Sequence, residues 1–295
     1  MTKTAAQQSD RTAAEVSTLE GNGCTSRRRN ARAGAVLLAG VAALLAASAV
    51  AAPINLSPAE SMRIGRKIWQ NECKGTVAGL TSWNTGENFA SLGIGHFIWY
   101  PKGVRGPFDE SFPELVSFAA SRGAKLPQVV LANRNSGCPW STKAEFTAAT
   151  NSAEMKELRQ FLADTVPMQA EFLVQRLQKA LPKMTAEAPA AERANIERQF
   201  ERVASTPQGC YALVDYVNFK GEGVLETERY KGQGWGLLQV LQGMSGSGNG
   251  AAAAGEFATS AAKVLTQRVA NSPPERNERR WLAGWLQRVK TYSQS

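Results

Sequence analysis

One stretch breaks an otherwise helix-patterned chain. "FASLGIGHFIWYP", Phe89 to Pro101, alternates small, β-branched and aromatic residues around Gly93 and Gly95. That pattern predicts short β-structure, with the glycines allowing tight bends or close approach of another backbone. Before it, "LSPAESMRIGRKIWQNEC" predicts a helix. Ser57 is a natural N-cap, Pro58 suits the first helical position, and Glu60 completes a capping box. Met62, Ile64, Ile68 and Trp69 share one face, and Lys74-Gly75 ends the helix. Residues 73–88 read as a loop rich in Gly, Thr and Asn.

After Pro101 the signals are mostly helical. "SFPELVSFAASRG" starts at Ser111 with a second S-x-x-E box and stops at Gly123. Residues 152–205 carry helical stripes interrupted by Pro167, Pro182 and Pro189. "YALVDYVNF" (211–219) and "GWGLLQVLQGM" read as buried helices, and "GSGNGAAAAG" (246–255) as a flexible surface loop. A third S-x-x-E box, Ser272–Glu275, opens a closing segment with a Trp281/Leu282/Trp285/Leu286/Val289 stripe, which assigns both tryptophans to the core. The expected fold class is α+β, mostly α, with a small β-ribbon near the front.

The first 52 residues read as a leader. "SRRRNAR" precedes the apolar run "AGAVLLAGVAALLAASAVAAP", which ends in small residues. This is the pattern of a secretory signal peptide, with cleavage expected near Ala51 or Ala52 and one domain over 53–295. The run from Gly34 to Ala52 is just long enough for an uncleaved membrane anchor. The arginines lack the bulky neighbour of a twin-arginine signal. Six of the 34 Lys and Arg and three of the 25 Asp and Glu fall in the leader, leaving 28 basic against 22 acidic residues, a net of +6. A basic exported protein suits an acidic wall polymer. No clustered basic helix or aromatic RNA motif points to nucleic acid.

Cys73, Cys138 and Cys210 remain after the leader, and an oxidising compartment favours one disulfide and one free thiol. His96 is the only histidine, so a catalytic thiol has a single base to call on. No C-x-x-C pair suggests zinc, and no cofactor is implied. Ser245 in "GMSGSG" lacks the preceding strand of a hydrolase elbow.

Glu72 is the residue with the clearest chemical reading. Cleaving a glycosidic bond requires an acid that protonates the leaving oxygen, and an apolar surround keeps a carboxyl protonated. Glu72 follows Ile68 and Trp69 on an inward-packing helix. Trp83, Trp99, Tyr100 and Trp235 are candidate platforms for pyranose rings, and Gln239 is a candidate donor to an acetamido group.

"NEC" followed after a polar loop by "SLGIGHF" resembles the lysozyme-like superfamily, in particular the phage-type lysozymes and endolysins. Lytic transglycosylases are the neighbouring family. "YALVDYVNFKGEG" is similar to the endolysin Phe-Asn-x-Gly helix, and "RNERRWLAGWLQRV" to the late Arg-Arg helix. The resemblance covers residues 57–100 and 209–292; 101–208 has no counterpart. It implies a lysozyme-like fold, with the ribbon between the catalytic helix and a helical bundle. It makes Glu72 the general acid, Ser91 the equivalent of a Thr that positions water or sugar, His96 a structural support of the ribbon, and Asn218 a substrate-side residue. The implied partner is the glycan strand of peptidoglycan, outside the cytoplasm. The hairpin Asp of the phage enzymes has no match. Thr81 or Thr85 stands nearest its place, so Glu87 and Glu222 are the candidates for a second carboxylate, which hydrolysis needs about 5–9 Å away. Without one, the sugar's own hydroxyl attacks, as in transglycosylases. The competing reading is a non-catalytic wall-binding or envelope-assembly protein, since folds outlive their chemistry.

Overall fold

Ser57 starts the first helix through a closed capping box. Its hydroxyl accepts from the Glu60 N–H at 3.3 Å, and Glu60 Oε2 accepts from the Ser57 N–H at 2.8 Å. The helix, α1 (Pro58–Cys73), ends where Lys74 turns left-handed at φ 56°. Ile64 and Ile68 enter the core, while Met62 and Trp69 pack against it. The structure, a computed structural model, describes residues 53–294. The leader, its cleavage site and the alternative anchor lie outside these residues. Among the described residues no helix is long and apolar enough to cross a membrane.

The predicted ribbon is present. β1 (Thr81–Ser82), β2 (Ala90–Leu92) and β3 (Phe97–Trp99) form an antiparallel sheet in that order. Ser91 faces Ile98 across the β2–β3 pair, and Leu92 faces Phe97. The turn between them needs glycine at its first position. Gly93 has φ +68°, and a Cβ there would sit 2.3 Å from Gln169 Oε1. That oxygen instead accepts from the Ile94 N–H at 2.9 Å. β1 falls inside the segment read as loop; two residues of strand are too short to show a period.

The rest is helical: α2 (Phe112–Ser121), α3 (Gln128–Asn133), α4 (Lys143–Ala148), α5 (Ala153–Asp164), α6 (Val166–Glu187), α7 (Ala190–Ala204) and α8 (Pro207–Lys220). A small ribbon, β4 (Arg229–Tyr230) and β5 (Gln233–Gly234), precedes α9 (Leu237–Gln242), α10 (Ala251–Asn271) and α11 (Arg279–Lys290). The protein is thus mostly α with a small antiparallel sheet. α8 lies at the centre, touching α1, α6, α7 and α10. Its residues Gly209 through Tyr216 are all buried, as expected of a helix surrounded by others.

Several local expectations yield to tertiary contacts. Pro182 lies inside α6 and does not break it, because Leu181, Met184 and Thr185 around it are buried and hold the helix together. Residues 251–255 belong to α10, not to a loop. Alanine favours helix, Ala253 and Ala254 are buried, and Glu256 accepts from the N–H groups of Ser245 and Gly246 at 2.8 Å each. Ser111 does not cap α2 with its side chain; its hydroxyl accepts from the Ile98 N–H at 3.1 Å. Ser272 ends α10, donating to the Val269 carbonyl at 2.9 Å, and opens no helix.

The expected disulfide is absent: Cys73, Cys138 and Cys210 are three free, buried thiols. Each sits in its own environment. Cys210 donates to the Ala204 carbonyl at 3.1 Å, and the Cys138 N–H donates to the Tyr100 carbonyl at 2.7 Å. Burial pushes each thiol up to about 12, which makes them poor nucleophiles. A thiol reagent is expected to leave all three unmodified in the folded protein and to modify all three in denaturant. A disulfide would leave only one of them reactive after unfolding.

Candidate functional site

The last turn of α1 carries Asn71 and Glu72 into a buried polar network. Asp215, on the central helix α8, has no solvent exposure. A buried carboxylate must be paired, and four contacts do this. Arg288 of α11 donates Nε to Oδ2 and Nη2 to Oδ1, both at 2.8 Å. Tyr292 donates to Oδ2 at 2.7 Å, and Asn71 Nδ2 to Oδ1 at 3.0 Å. Burial works against the Arg288 charge, but Asp215 and Glu72 outweigh it and hold the guanidinium well above its ordinary value. Burial pushes the Tyr292 phenol well up, and Asp215 adds to the push.

Arg288 Nη2 also reaches Glu72 Oε1 in an ion pair. The other carboxylate oxygen, Oε2, lies 3.6 Å from His96 Nδ1, and the Glu72 side chain is only 6% exposed. The carboxyl is therefore buried, as the sequence reading required, but its immediate surround is charged and polar where an apolar one was expected.

A cavity of about 290 Å³ opens beside this carboxyl. Glu72, Gly95 and His96 form part of its wall. One face of α6 contributes Leu173, Arg176, Leu177, Ala180 and Lys183, at the three- and four-residue spacing that aligns side chains along a helix. The end of α8 contributes Asn218, Phe219 and Lys220, and the following loop Glu222. Glu222 is set by a backbone crossing: a Cβ on Gly236 would lie 2.1 Å from the Gly223 nitrogen. Its carboxylate pairs with Lys183 Nζ at 3.1 Å. Trp235 is on the wall but 4% exposed, and the Arg268 guanidinium covers its ring at 3.9 Å.

Other residues singled out in the sequence lie away from the cavity. Glu87 is not on its wall; it accepts from Asn84 Nδ2 at 3.0 Å, and burial raises its carboxyl although Asn84 opposes this. Ser91 is buried on β2. Trp83, Trp99 and Tyr100 are 7%, 2% and 3% exposed and offer no open ring to a sugar. Trp83 packs on Phe146, Trp99 on Phe112, and Tyr100 on Phe89. The ribbon is covered on both faces, so its aromatic residues are core on either side. Gln239 braces the Glu222 loop, accepting from the Gly236 N–H at 2.9 Å and donating to the Gly223 carbonyl at 3.0 Å.

The structure adds residues that sequence reasoning missed. Lys220 is buried with Nζ 3.3 Å above the Trp285 ring. Burial, then Arg268, pushes its ammonium well below the ordinary value. Arg176 is half-buried on the cavity wall and has no ion-pair partner among the described residues. Asp109 and Glu228 also line the cavity. The lone acid in "YALVDYVNF" was a readable signal for a buried pair; nothing local named Arg288 as its partner.

No protein-family model, curated protein or solved structure matches the chain. Among the described residues no group of three or more His, Cys, Asp or Glu side chains is placed to hold a metal ion.

Two outcomes follow from these placements. Asp215→Ala is expected to destabilise the protein by about 3–5 kcal/mol, because it leaves Arg288 buried with half its compensation; chemical denaturation measures this. Glu87→Gln is expected to keep any turnover within about twofold of wild type, since its carboxyl touches no group on the cavity wall.

Proposed function

We propose that the protein is an exported lysozyme-like enzyme that cleaves the glycan strands of peptidoglycan, with Glu72 as general acid. The observation that carries this reading is the Glu72 carboxyl: buried at the end of α1, beside the "SLGIGH" turn, and facing the cavity. The order of helix, ribbon and helical bundle supports it as well. In this mechanism Arg288 holds Oε1 and leaves Oε2 to meet the bridging oxygen between two sugars. Proton transfer from Oε2 lets the C–O bond break with its electron pair on the leaving sugar. Glu222 shares the cavity and is the second carboxylate of this mechanism, activating water or stabilising the cationic sugar. Asn218 and Trp235 are the remaining substrate-side groups from the sequence reading that line the cavity.

Arg176 fits the acidic substituents of a peptidoglycan strand, its lactyl and peptide carboxylates. Arg176→Ala is expected to raise KM about tenfold for peptide-bearing strands, the worth of one charge-assisted hydrogen bond. A neutral chito-oligosaccharide is expected to show no such change.

One observation favours the second reading, a wall-binding protein without turnover. Glu72 Oε1 is already engaged by the Arg288 guanidinium, as in a structural ion pair. Purified peptidoglycan separates the two. Wild type is expected to release soluble muropeptides, and Glu72→Gln to lose at least about 10²-fold in rate while still pelleting with the wall. A binder would pellet in both forms and release nothing.

A further inference from the structure

We propose that His96 is the proton partner of Glu72: Nδ1 and Oε2 hold one proton between them, so that the pair, not Glu72 alone, is the acid of the cavity. The catalytic half of this proposal rests on the reading of Glu72 given above; the shared proton does not.

The geometry of His96 exceeds what a packing role needs. It adopts φ 50°, in the left-handed region, which costs a non-glycine residue about 1–2 kcal/mol. A glycine or asparagine would fill that turn position at less strain. Its Nδ1 is buried and meets no hydrogen-bond partner among the described residues. A buried polar atom without a partner calls for a cause, and Glu72 Oε2 at 3.6 Å is the group it faces.

The other ring nitrogen meets a thiol. Nε2 lies 3.9 Å from Cys73 Sγ, and that thiol directs its hydrogen to the Gly93 carbonyl at 3.6 Å. Nε2 accepts from or donates to this sulfur according to the tautomer. Nδ1 then has two options. It is bare and accepts from a protonated Glu72, or it is protonated and faces a Glu72 anion. In both states one proton lies between Nδ1 and Oε2. Without it, two sets of lone pairs would face each other in a buried site.

Several charged groups surround the pair. Glu72 and Cys73 face the imidazole from α1, and Arg288 approaches from α11, tied to Asp215 of α8. Lys220, Arg176, Asp109 and the Glu222–Lys183 pair line the same cavity. Burial disfavours the imidazolium, Glu72 favours it, and Arg288 again opposes it. In the cleavage step the Oε2 proton passes to the glycosidic oxygen and the C–O bond breaks. Where the sugar's own hydroxyl attacks, that O–H returns a proton to the pair; where Glu222 takes the proton of an attacking water, bulk water reprotonates the pair, and in both cases His96 acts as a positioning residue.

His96 is the sole histidine, so its imidazole signals in an NMR titration belong to one residue. In the wild type the proposal expects the His96 titration to be coupled to Glu72. In Glu72→Gln the coupling is lost and the midpoint drops by about one pH unit, since the carboxylate that favours the imidazolium is gone. An unchanged midpoint overturns the shared proton. Activity is the second readout, using His96→Asn, because asparagine tolerates the left-handed turn. The expected result is a kcat loss of about 10–100-fold with KM unchanged and the acid limb of the pH–rate profile displaced. Wild-type kcat and pH profile in His96→Asn, beside an inactive Glu72→Gln, overturn the proposal and leave the reading of Glu72 standing. A coupled titration in a protein without turnover supports the proton pair and overturns the enzymatic reading.

Discussion

The site depends on the salt bridge between Asp215 and Arg288. Asp215 lies on a helix packed among several others, where an unpaired carboxylate would cost several kcal/mol. Arg288 meets it with two parallel donors, the arrangement in which a guanidinium pairs most strongly. Tyr292 and Asn71 satisfy what remains. The pairing fixes α11 against α8, and with it the direction of the Arg288 donor that reaches Glu72. Asn71, one residue before Glu72, donates to both Tyr211 and Asp215, so the end of α1 is held by the same cluster.

A second constraint sets the opposite side of the carboxyl. Gln169 of α6 is fully buried, with Nε2 donating to the Leu162 carbonyl at 2.6 Å and Oε1 accepting from Ile94. This docks the hairpin turn, and therefore His96, onto α6. The same helix presents Arg176 and Lys183 to the cavity a few turns later. One helix thus positions both the neighbour of Glu72 and the cationic wall. Such preorganisation lets a site hold charge at little cost when a substrate enters.

What was legible in the sequence follows the range of the forces involved. The capping box at Ser57 is local, and it forms as written. The β2–β3 hairpin is local too, since its glycines and alternation are read within a dozen residues. The two other S-x-x-E boxes fail because a distant group decides each serine: the Ile98 N–H claims Ser111, and the end of α10 claims Ser272. At the site, Glu72, His96, Asn218, Glu222 and Trp235 do line one cavity. Glu87, Ser91, Trp83, Trp99, Tyr100 and Gln239 do not: sequence alternation gives no sign that the ribbon and its flanks are covered on both faces, and no local pattern shows that Gln239 turns to the Glu222 loop and Glu87 to Asn84. The Asp215–Arg288 pair spans 73 residues, beyond anything a local pattern records. The charged surround of Glu72 was therefore invisible.

The most direct measurement is mass spectrometry of the products released from purified peptidoglycan digested in ¹⁸O-labelled water. Cleavage at the Glu72 cavity predicts new glycan ends. These carry one labelled oxygen at the reducing end if water attacks with the help of Glu222, or are unlabelled anhydro-sugars if the substrate's own hydroxyl attacks. Intact glycan strands after prolonged incubation, or products cut only in their peptides, would contradict the account.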